Sequence, residues 1–352
     1  LATIYEIARE AKVGIGTVSR VLNNHPSVAD KTRERVLEVV RKLNYQPHAY
    51  AQGLARNRSH TISAIIPFFT NYFFVEVLQG VQDKITELGY DLILYGINKP
   101  DHVEIYLKRA SRKGRVDGVL FFSMRFPDTY ADAFSHLKIP VVLVDTFHEK
   151  FDSIVVENFE GARIATRHLI QLGHRKIGMI DGSLESTPAR ERLEGFKHAL
   201  QEHGIPFEQK YFRVSPVLKQ DGFNREAGYA AMQEIIQMGD DRPTAMFISS
   251  DIQAIGAISA LRDNGLRVPE DMAIVGFDDI ELSGYIGLTT MRQPMYQMGV
   301  LAVEKLMERI LKPDAPCSHI KFSPELIIRD SCGVVPKAPQ RTEEPAYSSV
   351  KP

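Results

Sequence analysis

Apolar side chains recur at helical spacing in the first forty residues. Ile4, Ile7, Ala8 and Ala11 form an i, i+3, i+4, i+7 stripe. Thr3, three residues ahead of Glu6, is placed for a capping box, in which each side chain satisfies the other residue's backbone N–H. A helix starting at Ile4 is predicted. Lys12-Val13-Gly14 breaks it, and helical spacing resumes from Ile15 to Asn23 with Val18, Val21 and Leu22 turned inward. Two short helices joined across a glycine-containing turn make a helix-turn-helix. After the turn signal Asn23-Asn24-His25-Pro26, a third helix is expected from about Asp30 to Leu43, burying Val36, Val39, Val40 and Leu43. Pro47 stops this unit. Residues 48–58 are helix-capable but too short to persist alone, which reads as a conditional hinge.

From Thr61 the pattern changes. β-Rich apolar runs at Ile62 to Ile66, Leu92 to Ile97, Val119 to Phe122, Val141 to Val144, Ile177 to Ile180, Ala245 to Ile248 and Ala273 to Gly276 alternate with amphipathic stretches near 73–88, 101–113, 159–172, 188–203, 222–237 and 251–264. Such alternation implies an α/β fold of parallel sheets wrapped by helices. So many βα units exceed one sheet of ordinary size, so two similar subdomains are expected, with a ligand cleft at the carboxyl ends of the strands. From Val334 the chain is rich in Pro, Ser and charge and has no leucine heptad; it reads as a disordered tail without a coiled coil. The expected division is a head at 1–46, a hinge at 47–59, a core at 60–332 and a tail at 333–352.

Composition narrows the function. With 352 residues, 44% apolar and 25% charged, the chain can build two or three compact domains. No run of about 18 apolar residues spans a bilayer, and the charged first ten residues do not resemble a secretory leader, so a cytoplasmic protein with no membrane partner is expected. Cys317 and Cys332 sit in no metal-ligand spacing and read as reduced thiols. The net charge is only −1, but residues 1–58 hold ten basic side chains against five acidic ones, leaving the remainder with an acidic excess. A basic head on an acidic body suits a polyanion partner for the head.

Enzyme signatures are missing. Gly14-x-Gly16 follows a helix and lacks the third glycine of a dinucleotide fingerprint, and no P-loop, HExxH or GxSxG string occurs. His168 and His174 lie in no metal pattern. No catalytic residue, metal or cofactor is therefore expected. A secreted solute-binding protein would share the core but would have no use for the basic head.

Several strings occur together in one order: Thr3-Ile-x-x-Ile-Ala, Thr17-Val-Ser-Arg-Val-Leu-Asn23, Thr32-Arg-x-Arg-Val, Leu43-Asn-Tyr-x-Pro47, Leu172-Gly-His-Arg-x-Ile177, Arg192-x-x-Gly-Phe196, Gly276-Phe-Asp-Asp279 and Leu288-Thr-Thr290. On these the chain resembles the lactose-repressor/galactose-repressor family of bacterial transcription regulators up to about Cys332. The resemblance implies a helix-turn-helix head and hinge helix joined to a two-subdomain, periplasmic-binding-protein-like core. It implies a homodimer on a pseudo-palindromic double-stranded operator, nucleoid-associated when bound, whose affinity is set by a small effector.

By matching position, Ile15, Gly16 and Arg20 fall where the family reads base edges. Arg20 carries the chemistry, since a guanidinium bonds guanine O6 and N7 together; a phosphate contact is the alternative. Thr17 and Ser19 suit phosphate contacts. Gly16 has no side chain to read with, and Gly14 replaces a common serine. In the hinge, Leu54 occupies the minor-groove wedge position and Ala51 allows close helix approach, while Gly53 weakens the helix by roughly 1 kcal/mol relative to alanine. For the effector, the resemblance points to Asp145, Arg192, Asp278 and Gln293, with Ser250 replacing a common asparagine; Asp251 and Asp279 fit equally as helix caps. Phe73, Phe74 and Phe223 fall at aromatic walls, with core packing as the alternative. Carboxylates and a guanidinium suit vicinal hydroxyls, so a sugar is the first expectation and a purine the second.

Overall fold

The computed structural model describes residues 2–23, 25–45, 59–67, 70–97, 103–110, 115–214 and 219–333. The expected hinge helix, with Ala51, Gly53 and Leu54, and the tail beyond Gly333 lie outside these residues.

The head comprises α1 (Ile4–Glu10), α2 (Ile15–Leu22) and α3 (Asp30–Lys42). The capping box forms: Thr3 N donates to Glu6 Oε2 at 2.7 Å and Glu6 N to Thr3 Oγ1 at 3.3 Å. Ile7, Ala8, Ala11, Val18, Val21, Val28 and Val36 form the small core. Val39, Val40 and Leu43, expected inside, are only partly buried against it. Two short helices are too small to cover the whole apolar stripe of a longer third, so its C-terminal half stays at the edge.

Two six-stranded sheets follow. The first has the order β11-β5-β4-β3-β1-β2 and is parallel throughout, with β1 Thr61–Ile66, β2 Asp91–Gly96, β3 Gly118–Phe122, β4 Val141–Val144, β5 Asp152–Val156 and β11 His319–Phe322. The second has the order β12-β10-β9-β8-β6-β7, with β6 Ile177–Asp181, β7 Phe212–Val214, β8 Ala245–Ile248, β9 Ala273–Asp278, β10 Thr289–Arg292 and β12 Glu325–Ile327. Only its β10–β12 pairing is antiparallel. Buried runs such as GVLFF and AMFI, without polar alternation, are what strands covered on both faces require.

Helices α4 (Tyr72–Leu88) and α12 (Met295–Leu311) cover one face of the first sheet, and α5 (Val103–Ala110) and α6 (Asp128–Leu137) flank the other. On the second sheet, α7 (Asn158–Gln171) and α8 (Thr187–Glu202) lie opposite α9 (Arg225–Ile236) and α10 (Asp251–Asp263); α11 (Glu281–Tyr285) follows β9. Strands β5, β7 and β10 to β12, with helices α6, α11 and α12, are additions to the elements expected from periodicity. The chain crosses between sheets three times: after β5 at Glu157, after β10 at Gln293-Pro294 and after β11 at Ser323-Pro324. Glu157 N donates to Phe322 O at 2.9 Å, fastening the first crossover to the third. Late-arriving α12 packs on early α4, where a Cβ at Gly80 would overlap the Tyr296 carbonyl and one at Gly299 the Val77 carbonyl.

Candidate functional site: an inter-sheet cleft and an exposed helix face

The carboxyl ends of both sets of strands open into one cleft, as parallel α/β topology dictates. Ser123 follows β3, Asp145 follows β4, Ser250 lies two residues beyond β8 and Asp278 ends β9; all four line the cleft. Asn71, Phe73 and Phe74 enter from the start of α4, Ser186, Pro188 and Arg192 from α8 and its entry, and Asp221 and Phe223 from the loop before α9. The enclosed space of the cleft is about 60 Å³ in this structure, smaller than the usual small-molecule pocket, so a ligand needs the two sheets further apart than they stand here. Four lining residues, Ser123, Asp145, Asp221 and Asp278, hold left-handed backbone angles of φ +48°, +55°, +52° and +125°. Such conformations cost about 1–3 kcal/mol each and concentrate where backbone must aim a side chain at a ligand.

Arg192 is the one cation among the described residues that line the cleft. It is 5% exposed, its Nε donates to Asn158 Oδ1 at 2.9 Å, its Nη1 donates to the Ser249 carbonyl, and it lies 3.8 Å over the Phe277 ring. Asp278 Oδ1 stands 4.0 Å from Arg192 Nη1. Burial pushes the Asp278 carboxyl well above its ordinary range, and Arg192 opposes that rise. Burial likewise lifts Asp145 to about 6, against a 2.7 Å hydrogen bond donated by Ser123 Oγ. Asp221 is also raised by burial. Three carboxylates therefore share the described lining with one guanidinium whose donors are partly engaged already.

Seven of the eight expected effector residues line this cleft. Gln293 does not: it is buried in the second crossover, donating from Nε2 to Asp278 Oδ1 at 2.6 Å and from its backbone N to Asp278 O at 3.1 Å, so it holds a cleft residue instead of facing the cleft. Ser250 does two things, lining the cleft and capping α10 by accepting from Gln253 N at 3.4 Å. Asp251 and Asp279 neither cap a helix nor line the cleft. Asp251 is fully buried, accepts from Thr290 Oγ1 and Ser283 Oγ at 2.6 Å and from Ile280 N at 3.1 Å, and is pushed up to about 7 by burial. Asp279 is paired with Arg292 and Arg329, each at 2.7 Å. Phe73 and Phe74 meet edge-on at 5.2 Å, packing in the core while also lining the cleft. The Phe223 ring occupies the space a Cβ at Gly182 would need.

Sequence reasoning passed over Asn71, Ser123, Ser186 and Asp221. Ser123, next after a predicted strand, carried a usable positional signal. Asp221 and Ser186 sit on irregular loops where periodicity says nothing.

On the head, Ile15, Gly16 and Arg20 are exposed along α2, with Thr17 and Ser19 partly covered. The Arg20 guanidinium has no partner among the described residues, and Ser19 Oγ accepts from Asn23 Nδ2 at 3.5 Å. A Cβ at Gly14 or Gly16 would meet open space, so no internal packing demands glycine there. Among the described residues no cluster could hold a metal ion, and no helix is long and apolar enough to cross a membrane.

Comparison with known proteins agrees with both regions. The family profile described as "Bacterial regulatory proteins, lacI family" matches residues 3–48, and that of the "Periplasmic binding protein-like domain" matches residues 166–332. The "HTH-type transcriptional repressor PurR" of Haemophilus influenzae strain PittEE is 38% identical over 94% of this chain and 98% of its own length. "Catabolite control protein A" of Priestia megaterium is 32% identical over the same shares. The crystal structure of the lac repressor dimer bound to operator and the anti-inducer ONPF superposes with a TM-score of 0.80 at 27% identity, covering 94% of this chain and 99% of that one. The chain thus belongs to the LacI family of bacterial regulatory proteins, and is a DNA-binding transcriptional repressor with a periplasmic-binding-protein-like core rather than an enzyme.

Proposed function

We propose that this repressor binds a pseudo-palindromic operator as a homodimer, and that a small uncharged polyhydroxylated effector, a sugar, sets its operator affinity from the inter-sheet cleft. The units are the head at 1–46, the hinge at 47–59, the core at 60–332 and the tail at 333–352. Arg20 and Ile15 supply base contacts, Gly16 lets the backbone come close, Thr17 and Ser19 meet phosphates, and Ala51 and Leu54 work in the minor groove. The carrying observation is the charge balance of the cleft, where, among the described residues, Asp145, Asp221 and Asp278 share the lining with a single cation, Arg192. A phosphate or carboxylate would add negative charge to a surplus of carboxylates, whereas vicinal hydroxyls donate to them in pairs and accept from the guanidinium.

Two solved relatives support a sugar: one is described as a transcriptional regulator CelR-cellobiose complex, at 28% identity and TM-score 0.70, and one from Enterococcus faecium has bound ribose, at 27% and 0.68. A purine is the second reading, favoured by the three aromatic rings of Phe73, Phe74 and Phe223 at the cleft. A thermal-shift panel of cellobiose, D-ribose, glucose 6-phosphate and hypoxanthine separates the readings, because a binder at 100 times its Kd stabilises by about 2.7 kcal/mol. A response to glucose 6-phosphate alone refutes the charge argument; a response to hypoxanthine alone selects the purine.

A further inference from the structure

The two charged residues at the heart of the cleft are each held by a buried amide side chain that belongs to a crossover. Asn158, 3% exposed, stands two residues beyond the end of β5, where the chain first leaves the first sheet. Its Oδ1 accepts from Arg192 Nε at 2.9 Å, while its Nδ2 donates to Val156 O at 3.3 Å and to Glu191 Oε2 at 3.2 Å. Gln293, also 3% exposed, sits in the second crossover and grips Asp278 through both its side chain and its backbone N–H. Neither amide lines the cleft. The third crossover joins the same system, since Glu157 accepts from Ser323 Oγ and donates its N–H to Phe322 O.

We propose that Asn158 and Gln293 are positioning residues that convert engagement of Arg192 and Asp278 by an effector into a change of crossover geometry, and so couple the cleft to the relative orientation of the two subdomains. The inference rests on the reading of the cleft as the effector site. A neutral amide suits the task because it offers a donor and an acceptor at once. Asn158 satisfies a cation on one side and a carbonyl and a carboxylate on the other, which neither a carboxylate nor an apolar side chain can do. An effector that bonds Arg192 and Asp278 shifts them relative to the sheets. Outside the cleft the Ser249 carbonyl ties Arg192 to the second sheet, while the two amides tie Arg192 and Asp278 to the segments that must bend if the subdomains are to rotate. Coupling needs such a two-state element biased by both sites.

The test uses the full-length protein and operator DNA. Wild type, Asn158→Ala, Gln293→Ala and Asn158→Asp are titrated calorimetrically, with and without operator, using whichever of cellobiose, D-ribose and hypoxanthine stabilises wild type. The ratio of the two Kd values is the coupling factor, typically 5–150-fold in allosteric proteins. Asn158→Ala and Gln293→Ala are expected to weaken effector binding by about tenfold or more and to bring the coupling factor to within about twofold of unity. Asn158→Asp retains the acceptor for Arg192 but loses the donor to Val156 O and to Glu191 Oε2, so it keeps more effector affinity than Asn158→Ala while coupling falls. A purely structural role would lower Tm and leave the coupling factor as in wild type; that result in both alanine variants overturns the proposal while leaving the effector site intact. Wild-type protein that shows no coupling with any of the three probes defeats the effector reading itself, and the proposal with it.

Discussion

Replacing Arg192 by methionine probes the electrostatics of the cleft most directly. Methionine keeps an apolar stem against the Phe277 ring, 3.8 Å below the guanidinium, and removes every donor. Asn158 Oδ1 and the Ser249 carbonyl each lose a charge-assisted partner, and Asp278 loses the cation 4.0 Å away. A buried hydrogen bond to a charged group contributes about 1.5–3 kcal/mol, and stripping one member from a buried ion pair costs about 3–5 kcal/mol. The Asp278 pairing is long, so the expected loss lies at the lower end, about 3 kcal/mol at pH 8. Its pH dependence has a definite sign. Burial raises the folded Asp278 carboxyl above its unfolded value, and Arg192 restrains that rise. A carboxyl raised in the folded state costs stability as pH climbs from the unfolded to the folded pKa, and without Arg192 that window extends upward. The penalty is therefore larger at pH 8 than at pH 5, where Asp278 takes up its proton more readily in both proteins. Urea denaturation followed by circular dichroism at the two pH values measures it, and calorimetry checks that effector binding is abolished. Equal losses at pH 5 and pH 8, or intact effector binding, would refute the reasoning.

Three further outcomes are expected. Gly228→Ala places a Cβ into the Gln253 backbone where α9 crosses α10, so it should destabilise by about 1–3 kcal/mol; an unchanged Tm would show that the crossing yields. Burial holds the Asp181 carboxyl up to about 7, so wild-type stability should fall as pH rises from about 4 to 7, by about 1.4 kcal/mol for each unit over which folded and unfolded states differ by that proton. Asp181→Asn should flatten that slope, and an identical pH–Tm curve would contradict the assignment. Arg20→Ala should cost about 1–3 kcal/mol of operator affinity and relax preference at one base pair of each half-site, read by a binding selection over operator variants. Uniform weakening across all sequences would make Arg20 a phosphate contact.

The amino-acid pattern alone determined the parts of this protein governed by local physics. The Thr3–Glu6 capping box, the two-helix turn and the buried apolar strands are set by short-range spacing, and each appears where that spacing puts it. The cleft residues Asp145, Arg192, Ser250 and Asp278 are named through the family resemblance, and the positions of Asp145, Ser250 and Asp278 at or just beyond strand ends agree with where parallel sheets open their clefts. Tertiary structure decided what depends on partners distant in sequence. Edge strands β7, β11 and β12 are three or four residues long and only partly buried, too short for periodicity to single them out, and β11 and β12 pair with strands on the far side of a crossover. Helix α12 packs against α4 more than two hundred residues earlier in the chain, through a glycine contact that no local window contains. Gln293 was placed in the ligand's reach by sequence position, yet its amide is spent on Asp278, and Asp251 is spent on Thr290 and Ser283. Which polar groups face a ligand and which satisfy one another is settled only when the sheets come together, because burial makes every unpaired group costly and the available partners lie far apart in the chain.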